Sequence, residues 1–216
     1  MNLESIKASR IPNRVYLRFS DGKYLPFFID DVVIHSLHSG MDLDELIFKK
    51  IVNIALTYLL KDYSLRQIAI SPKTTRILTF KLSLYLRRLT KKYQLALSES
   101  EKRELIESNI LKLKEKGLIN DEEYINFFIK KNSRKSRQEI IFLLKKNGID
   151  TSIIPPEKLN NEGDKDKIKN LIIKKIHNSS DLIDFNNRKK VTAYLIRKGF
   201  SYDNVKFTID DLINSR

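Results

Sequence analysis

Three places in this chain hold residue types that could do chemistry. Asp31, His35 and His38 fall at helical spacing, but a metal site would need at least one further ligand and a supporting shell around it. Asp210 and Asp211 are adjacent, so on a helix they diverge rather than converge on one ion. The acidic run Asn120-Asp121-Glu122-Glu123 leads into Tyr124, Phe127 and Phe128. General acid-base work there would want a second set of polar partners, and none lies nearby. The chain has no cysteine, which removes thiolate nucleophiles, disulfides and sulfur-ligated metals. It also lacks a Gly-x-Ser-x-Gly elbow, a Walker loop and a dinucleotide fingerprint. The expectation is a protein without catalytic residues, metal or cofactor.

Positive charge is the more informative chemistry. Among 216 residues, 41 Lys and Arg stand against 27 Asp and Glu, a formal net charge of +14 that favours a polyanionic partner. The candidate contacts cluster at Arg87, Arg88, Lys91 and Lys92; at Lys131, Arg134, Lys135 and Arg137; at Lys145 and Lys146; and at Arg188, Lys189, Lys190, Arg197 and Lys198. Cations near helix C-termini also complement the helix dipole, so Lys145, Lys146, Arg197 and Lys198 are open to a purely structural reading. Arg134, Lys135 and Arg137 differ, because a loop and a helix start place positive charge against the dipole. Charge placed against local preference points to an external partner, with an ordinary solvated loop as the alternative.

The elements that must position these groups are mostly helices. Val15 to Phe19 and Tyr24 to Ile29 flank Ser20-Asp21-Gly22-Lys23, the signature of a β-hairpin. From Asp44 onward apolar residues recur every three or four positions. Asp42, Ser71, Ser98, Asn120 and Ser136 are the expected N-caps, Ser98 with Glu101, Asn120 with Glu123 and Ser136 with Glu139 at capping-box spacing, and Pro72 at a first helical position. Gly117 ends the helix before the acidic run, so that run reads as the start of the next one. Tyr124, Phe127 and Phe128 are expected to form its core face.

One helix is written twice. Ser136 to Ile149 and Asn187 to Phe200 each read as a cap, Arg, an apolar core stripe, a basic last turn, glycine and an apolar residue. A weaker copy spans Leu82 to Leu95 with Gln94 in place of glycine, and Gln94, Gly148 and Gly199 are spaced by 54 and 51 residues. Such a period means tandem helical units of about three helices each. Helices are expected near 44–62, 72–93 and 99–116, then 121–132 and 136–147, then 165–177, 184–198 and 202–214. The expected divisions are an N-terminal extension at 1–43 and repeats at 44–118, 119–163 and 164–216. Pro155-Pro156 interrupts the third helix of the second repeat, leaving a short helix or a linker and a flexible joint before the last repeat.

The run "LKLKEKGLINDEEYINFFIKKNSRKSRQEIIFLLKKNGID", followed by "NRKKVTAYLIRKGFSYDNVKFTIDDL", resembles the second and third repeats of RecX, the bacterial regulator of the RecA recombinase. Gly117 to Asp121 stand at the family's junction, while Lys146, Gly148 and Ile149, and Arg197 to Phe200, end its basic helices. The chain departs at Asn120, in a basic Lys61 to Arg76 insertion and at Pro155-Pro156. The resemblance implies an all-α chain of tandem three-helix repeats in an elongated curved stack with the small hairpin. It also implies binding, as a monomer, to the RecA-DNA filament, damping strand exchange, ATP hydrolysis and co-protease activity, with DNA contacted weakly or as part of the filament. The alternative is a direct DNA-binding protein of helix-turn-helix type, with Asn126 to Asp150 as the pair of helices and Arg137 and Gln138 at the groove. The N-terminus lacks a basic, apolar leader and no apolar run is long enough to span a bilayer, so a cytoplasmic location off the membrane is expected.

Overall fold

The computed structural model describes residues 1–159, 164–176 and 179–214. Two compact units divide the chain, Met1–Asn120 and Asp121–Arg216.

The first unit opens with strands β1 (Asn2–Ala8), β2 (Arg14–Phe19) and β3 (Tyr24–Phe28), helix α1 (Ile29–Ile34) and the short strand β4 (Met41–Asp42). The expected hairpin is β2 and β3, with Gly22 at φ +81° in its turn. It is half of a larger structure. All four strands form one antiparallel sheet in the order β3-β2-β1-β4. Leu3, Leu17, Phe19, Leu25 and Phe27 alternate onto one fully buried face. Three long helices follow: α2 (Glu45–Ile70), α3 (Thr75–Lys92) and α4 (Glu99–Glu115). Arg14 pairs with Asp62 at 3.5 Å and lies 5.5 Å from the Tyr58 ring centre, joining sheet to α2.

Several expected boundaries shift for physical reasons. Helix α2 starts after Asp44, not Asp42, because the Asp44 carboxylate accepts the Ile47 N–H at 2.7 Å, while Asp42 belongs to β4. It runs eight residues beyond the expected end, through Ser64, whose buried hydroxyl donates to Leu60 O at 2.8 Å and so needs no partner outside the helix. Much of the supposed Lys61 to Arg76 insertion is therefore helix. The cap of α3 is Thr74, which accepts from Ile77 N at 3.2 Å, whereas Ser71 is extended and Pro72 lies outside the helix. Ser98 and Glu101 make the expected capping box on α4.

The second unit contains α5 (Asp121–Lys131), α6 (Arg137–Lys146), 3₁₀ turns at Thr151–Ile153 and Pro156–Leu159, α7 (Asp164–Lys175), a 3₁₀ turn at Ser179–Leu182, α8 (Phe185–Arg197) and α9 (Tyr202–Asn214). The prolines permit one short 3₁₀ turn, with Leu159 buried beneath it. Helix α8 begins a turn earlier than its copy. Asp184, not Asn187, caps it, accepting from Asn186 N at 2.5 Å and Asn187 N at 3.3 Å.

The expected acidic helix start is present in α5, with Asp121, Glu122 and Glu123 in its first turn. Its aromatic row splits. Buried Tyr124 stacks with half-buried Phe128, their centroids 5.8 Å apart, while Phe127 lies exposed beneath Lys131 at 5.7 Å. Ile125 takes the core place given to Phe127, because four-residue spacing returns to the buried stripe more closely than three.

Apolar side chains gather into three clusters: Leu3 to Ile119, Tyr124 to Leu159, and Ile168 to Ile209. The helix-end register read from the sequence is geometric fact. Gln94, Gly148 and Gly199 adopt φ of +52°, +81° and +82°. At each, the next residue's N–H reaches back five residues, from Leu95 to Thr90 O, Ile149 to Leu144 O and Phe200 to Leu195 O, which is the Schellman closure.

Candidate functional site: a basic seam at the start of helix α6

Ser136 ends the loop after α5 and caps α6. Its hydroxyl oxygen accepts the Glu139 N–H at 3.1 Å, and its own proton goes to Lys198 O at 2.7 Å. Ser136 is fully buried. The second bond spans 62 residues and attaches the start of α6 to the end of α8. Gly199 makes that approach possible: a Cβ there would lie 2.8 Å from Ser136 Oγ and 3.3 Å from Gln138 Cβ.

The consequence is electrostatic. Arg134, Lys135 and Arg137 flank Ser136, and Arg197 and Lys198 end α8, so one hydrogen bond joins the two chain segments that carry five of the expected contact residues, a seam between helix ends. Lys135 is paired with Glu139 one turn on. Arg134 is exposed and Arg137 half-buried. Arg137 stands at the first position of α6, where a cation meets the positive end of the helix dipole. Lys198 extends over Tyr194, 5.4 Å from its ring centre, and Lys175 approaches the same ring at 4.1 Å.

Beside the seam Arg137 lines a small pocket of about 210 Å³ together with Lys130, Lys158, Lys167 and Ser133. Lys158 and Lys167 carry no sequence signal for this site. They come from a 3₁₀ turn and from α7, and only the packing of the second unit brings them to α6.

The other expected contacts lie elsewhere. Arg87, Arg88, Lys91 and Lys92 are exposed on α3 in the first unit. Lys92 sits 5.1 Å from the Tyr93 ring centre, and the charge and hydrogen bond of Tyr93 raise its pKa. Lys131 covers Phe127, while Lys145 and Lys146 are exposed in the last turn of α6. Lys189 and Lys190 are exposed on α8; Arg188 is half-buried and donates to Ile183 O at 3.3 Å. Arg188 and Lys189 border an open apolar groove between α8 and α9 with Phe185, Ile196, Tyr202 and Asp210.

Acidic residues serve the fold. Glu122 holds Lys158 at 3.0 Å and Asp164 holds Lys167 at 2.9 Å. Among the described residues no group of three or more His, Cys, Asp or Glu side chains could hold a metal ion, and no helix is long and apolar enough to cross a membrane.

Comparison with known proteins places this architecture. Residues 163–209 match the family model described as RecX, third three-helix domain. Among solved structures, the regulatory protein RecX superposes with a TM-score of 0.59 at 20% identity, covering 97% of this chain and 98% of that one. RecX from Lactobacillus salivarius superposes with a TM-score of 0.56 at 24% identity, covering 73% of this chain and 96% of that one. No curated protein sequence matches the chain.

Proposed function

We propose that this chain, RecX-like in fold over nearly its whole length and carrying a RecX third three-helix domain at 163–209, regulates the RecA recombinase by binding its DNA filament. The observation that carries the reading is the Ser136–Lys198 bond, which turns cations scattered in sequence into one seam. The function is regulatory and needs neither cofactor nor catalysis. It belongs to DNA repair, homologous recombination and the SOS response, in the cytoplasm.

The physical logic is that of a polyanion partner. A filament of protein-coated DNA presents a repeating, negatively charged track, and a net charge of +14 steers the protein to it. In this reading an N-terminal extension at 1–43 and helical repeats at 44–118, 119–163 and 164–216 serve one task, and cations on α3, α6 and α8 recur at a similar place in each helical repeat. Contacts that engage neighbouring protomers together gain avidity, so a monomer can occupy the filament against turnover. Strand exchange, ATP hydrolysis and co-protease activity are all damped by such occupancy.

The test is ATP hydrolysis by RecA on single-stranded DNA while this protein is titrated in, with binding to bare DNA followed at two salt concentrations. Inhibition well below the concentration that coats the DNA supports a filament regulator. Inhibition only at DNA saturation, with a steep salt slope, replaces it with the helix-turn-helix reading in which α5 and α6 bind DNA directly.

A further inference from the structure

The small pocket at the start of α6 holds more positive charge than its neighbours neutralise. Lys130 from the end of α5, Arg137 from the first turn of α6, Lys158 from the 3₁₀ turn and Lys167 from α7 all line it, above a floor of Ile129, Ile140 and Leu159. Four separate elements thus bring like charges to a space of about 210 Å³. Among the described residues no carboxylate lines it. Glu122 and Asp164 answer Lys158 and Lys167, whereas Lys130 and Arg137 have no ion-pair partner among the described residues. Two positive charges without an ion-pair partner therefore line one small pocket above an apolar floor, where an anion would be attracted by both.

The helix end adds to the same demand. Arg137 both lines the pocket and opens α6, and its N–H has no partner among the described residues, while Ser136 takes the Glu139 N–H. A free donor and the positive dipole end suit an oxyanion, and Arg137 at this position is unfavourable without one.

We infer that this pocket is a binding site for a phosphate group. Arg137 supplies a planar fork of donors, Lys130 a point charge and Ser133 a hydroxyl, the mixture that satisfies several phosphate oxygens together. The space is below the roughly 300 Å³ at which whole small-molecule ligands are usually enclosed, so it takes the phosphate and leaves the rest of the molecule outside. The phosphate is either a terminal group, on a small molecule or a strand end, or a diester within a nucleic-acid backbone. The inference deepens the reading of the seam as a contact surface by naming the chemistry it recognises.

The experiment uses the full chain without RecA, so its failure leaves filament regulation untouched, and failure of the RecA assay leaves this site standing. A fluorescent oligothymidylate of eight nucleotides, with or without a 5′-phosphate, is titrated against the wild type, Lys130→Gln/Arg137→Gln and a control, Lys112→Gln/Lys116→Gln. The expected result is binding weakened about tenfold or more by the first pair and not by the control, since two charge-assisted contacts are lost only in the first. Preference for the 5′-phosphorylated strand, with competition by inorganic phosphate, identifies a terminal group. Equal affinity for both strands identifies the backbone diester. Equal weakening by both pairs, or by neither, overturns the site. A melting curve of Lys130→Gln/Arg137→Gln guards against misfolding, and removing Arg137 from the helix start should leave the melting temperature unchanged or raised.

Discussion

Ser136 and Lys198 lie 62 residues apart in sequence, yet the buried hydroxyl of the first donates to the helix-terminal carbonyl of the second across 2.7 Å. The bond satisfies one of the last orphan carbonyls of α8 with the same side chain that caps α6. A single serine therefore begins one helix and satisfies a terminal carbonyl of another.

Replacement of Ser136 by alanine removes both bonds. The expected loss is about 1–2 kcal/mol, the sum of a modest N-cap and a buried side-chain bond to the backbone. Urea denaturation of the full chain measures it. A loss below about 0.5 kcal/mol would show that water replaces the hydroxyl at both partners.

Two substitutions at equivalent helix ends should have opposite signs. Gly199→Ala forces a side chain into the left-handed region and toward Ser136 Oγ, for a destabilisation of about 1–3 kcal/mol. Gln94→Gly relieves a non-glycine residue at φ +52° and should stabilise by about 0.5–1 kcal/mol. Differential scanning calorimetry reads both, and the same sign for the pair would refute the shared helix-end geometry.

Glu101 supplies a pH dependence. Its carboxylate accepts the Ser98 N–H at 2.7 Å and the Ser98 hydroxyl at 2.8 Å, and these bonds, the backbone one first, hold its pKa below the usual glutamate value. A lowered carboxylate pKa means stability that is present at neutral pH and lost as pH falls through the folded-state value. Glu101→Gln should melt below the wild type at neutral pH, and the difference should shrink as the solution is acidified below the ordinary glutamate range. A difference that is constant with pH would mean that the ionised form contributes nothing.

Within the seam the cations are unequal. Arg134→Ala/Lys135→Ala/Arg137→Ala should raise the concentration needed to inhibit RecA ATP hydrolysis about tenfold or more, as expected for loss of several charge contacts. Lys135→Ala alone should do little, because Lys135 is already engaged by Glu139. A larger effect from Lys135→Ala than from Arg137→Ala would reverse this ranking.

The sequence made some of this legible and hid the rest for identifiable reasons. Helix ends were visible because glycine in the left-handed region leaves a chemical trace, and even Gln94, with no such trace, was recovered from spacing. Strand β1 was not visible, since Glu4, Ser5 and Lys7 mask an alternation that only β2 completes. The helix expected near 44–62 runs on to Ile70, and Ser64 in the added stretch is a core residue whose hydroxyl bonds within its own helix. For the seam, Arg134, Lys135 and Arg137 stood out by opposing their local dipole. Lys158 and Lys167 carried no comparable signal, because each is ordinary in its own element and meaningful only across the fold.

The three separate apolar clusters bear on how the molecule fails. A side chain lost from the Ile168–Ile209 cluster empties a cavity walled by its own neighbours, so the damage falls first on the last three helices and reaches α6 through the Ser136–Lys198 bond. Such a lesion produces a partly opened chain rather than a fully denatured one. In a cell the protein would then be removed by proteolysis that starts at the opened helices, and its lifetime would be set by the weakest cluster rather than by the average of all three.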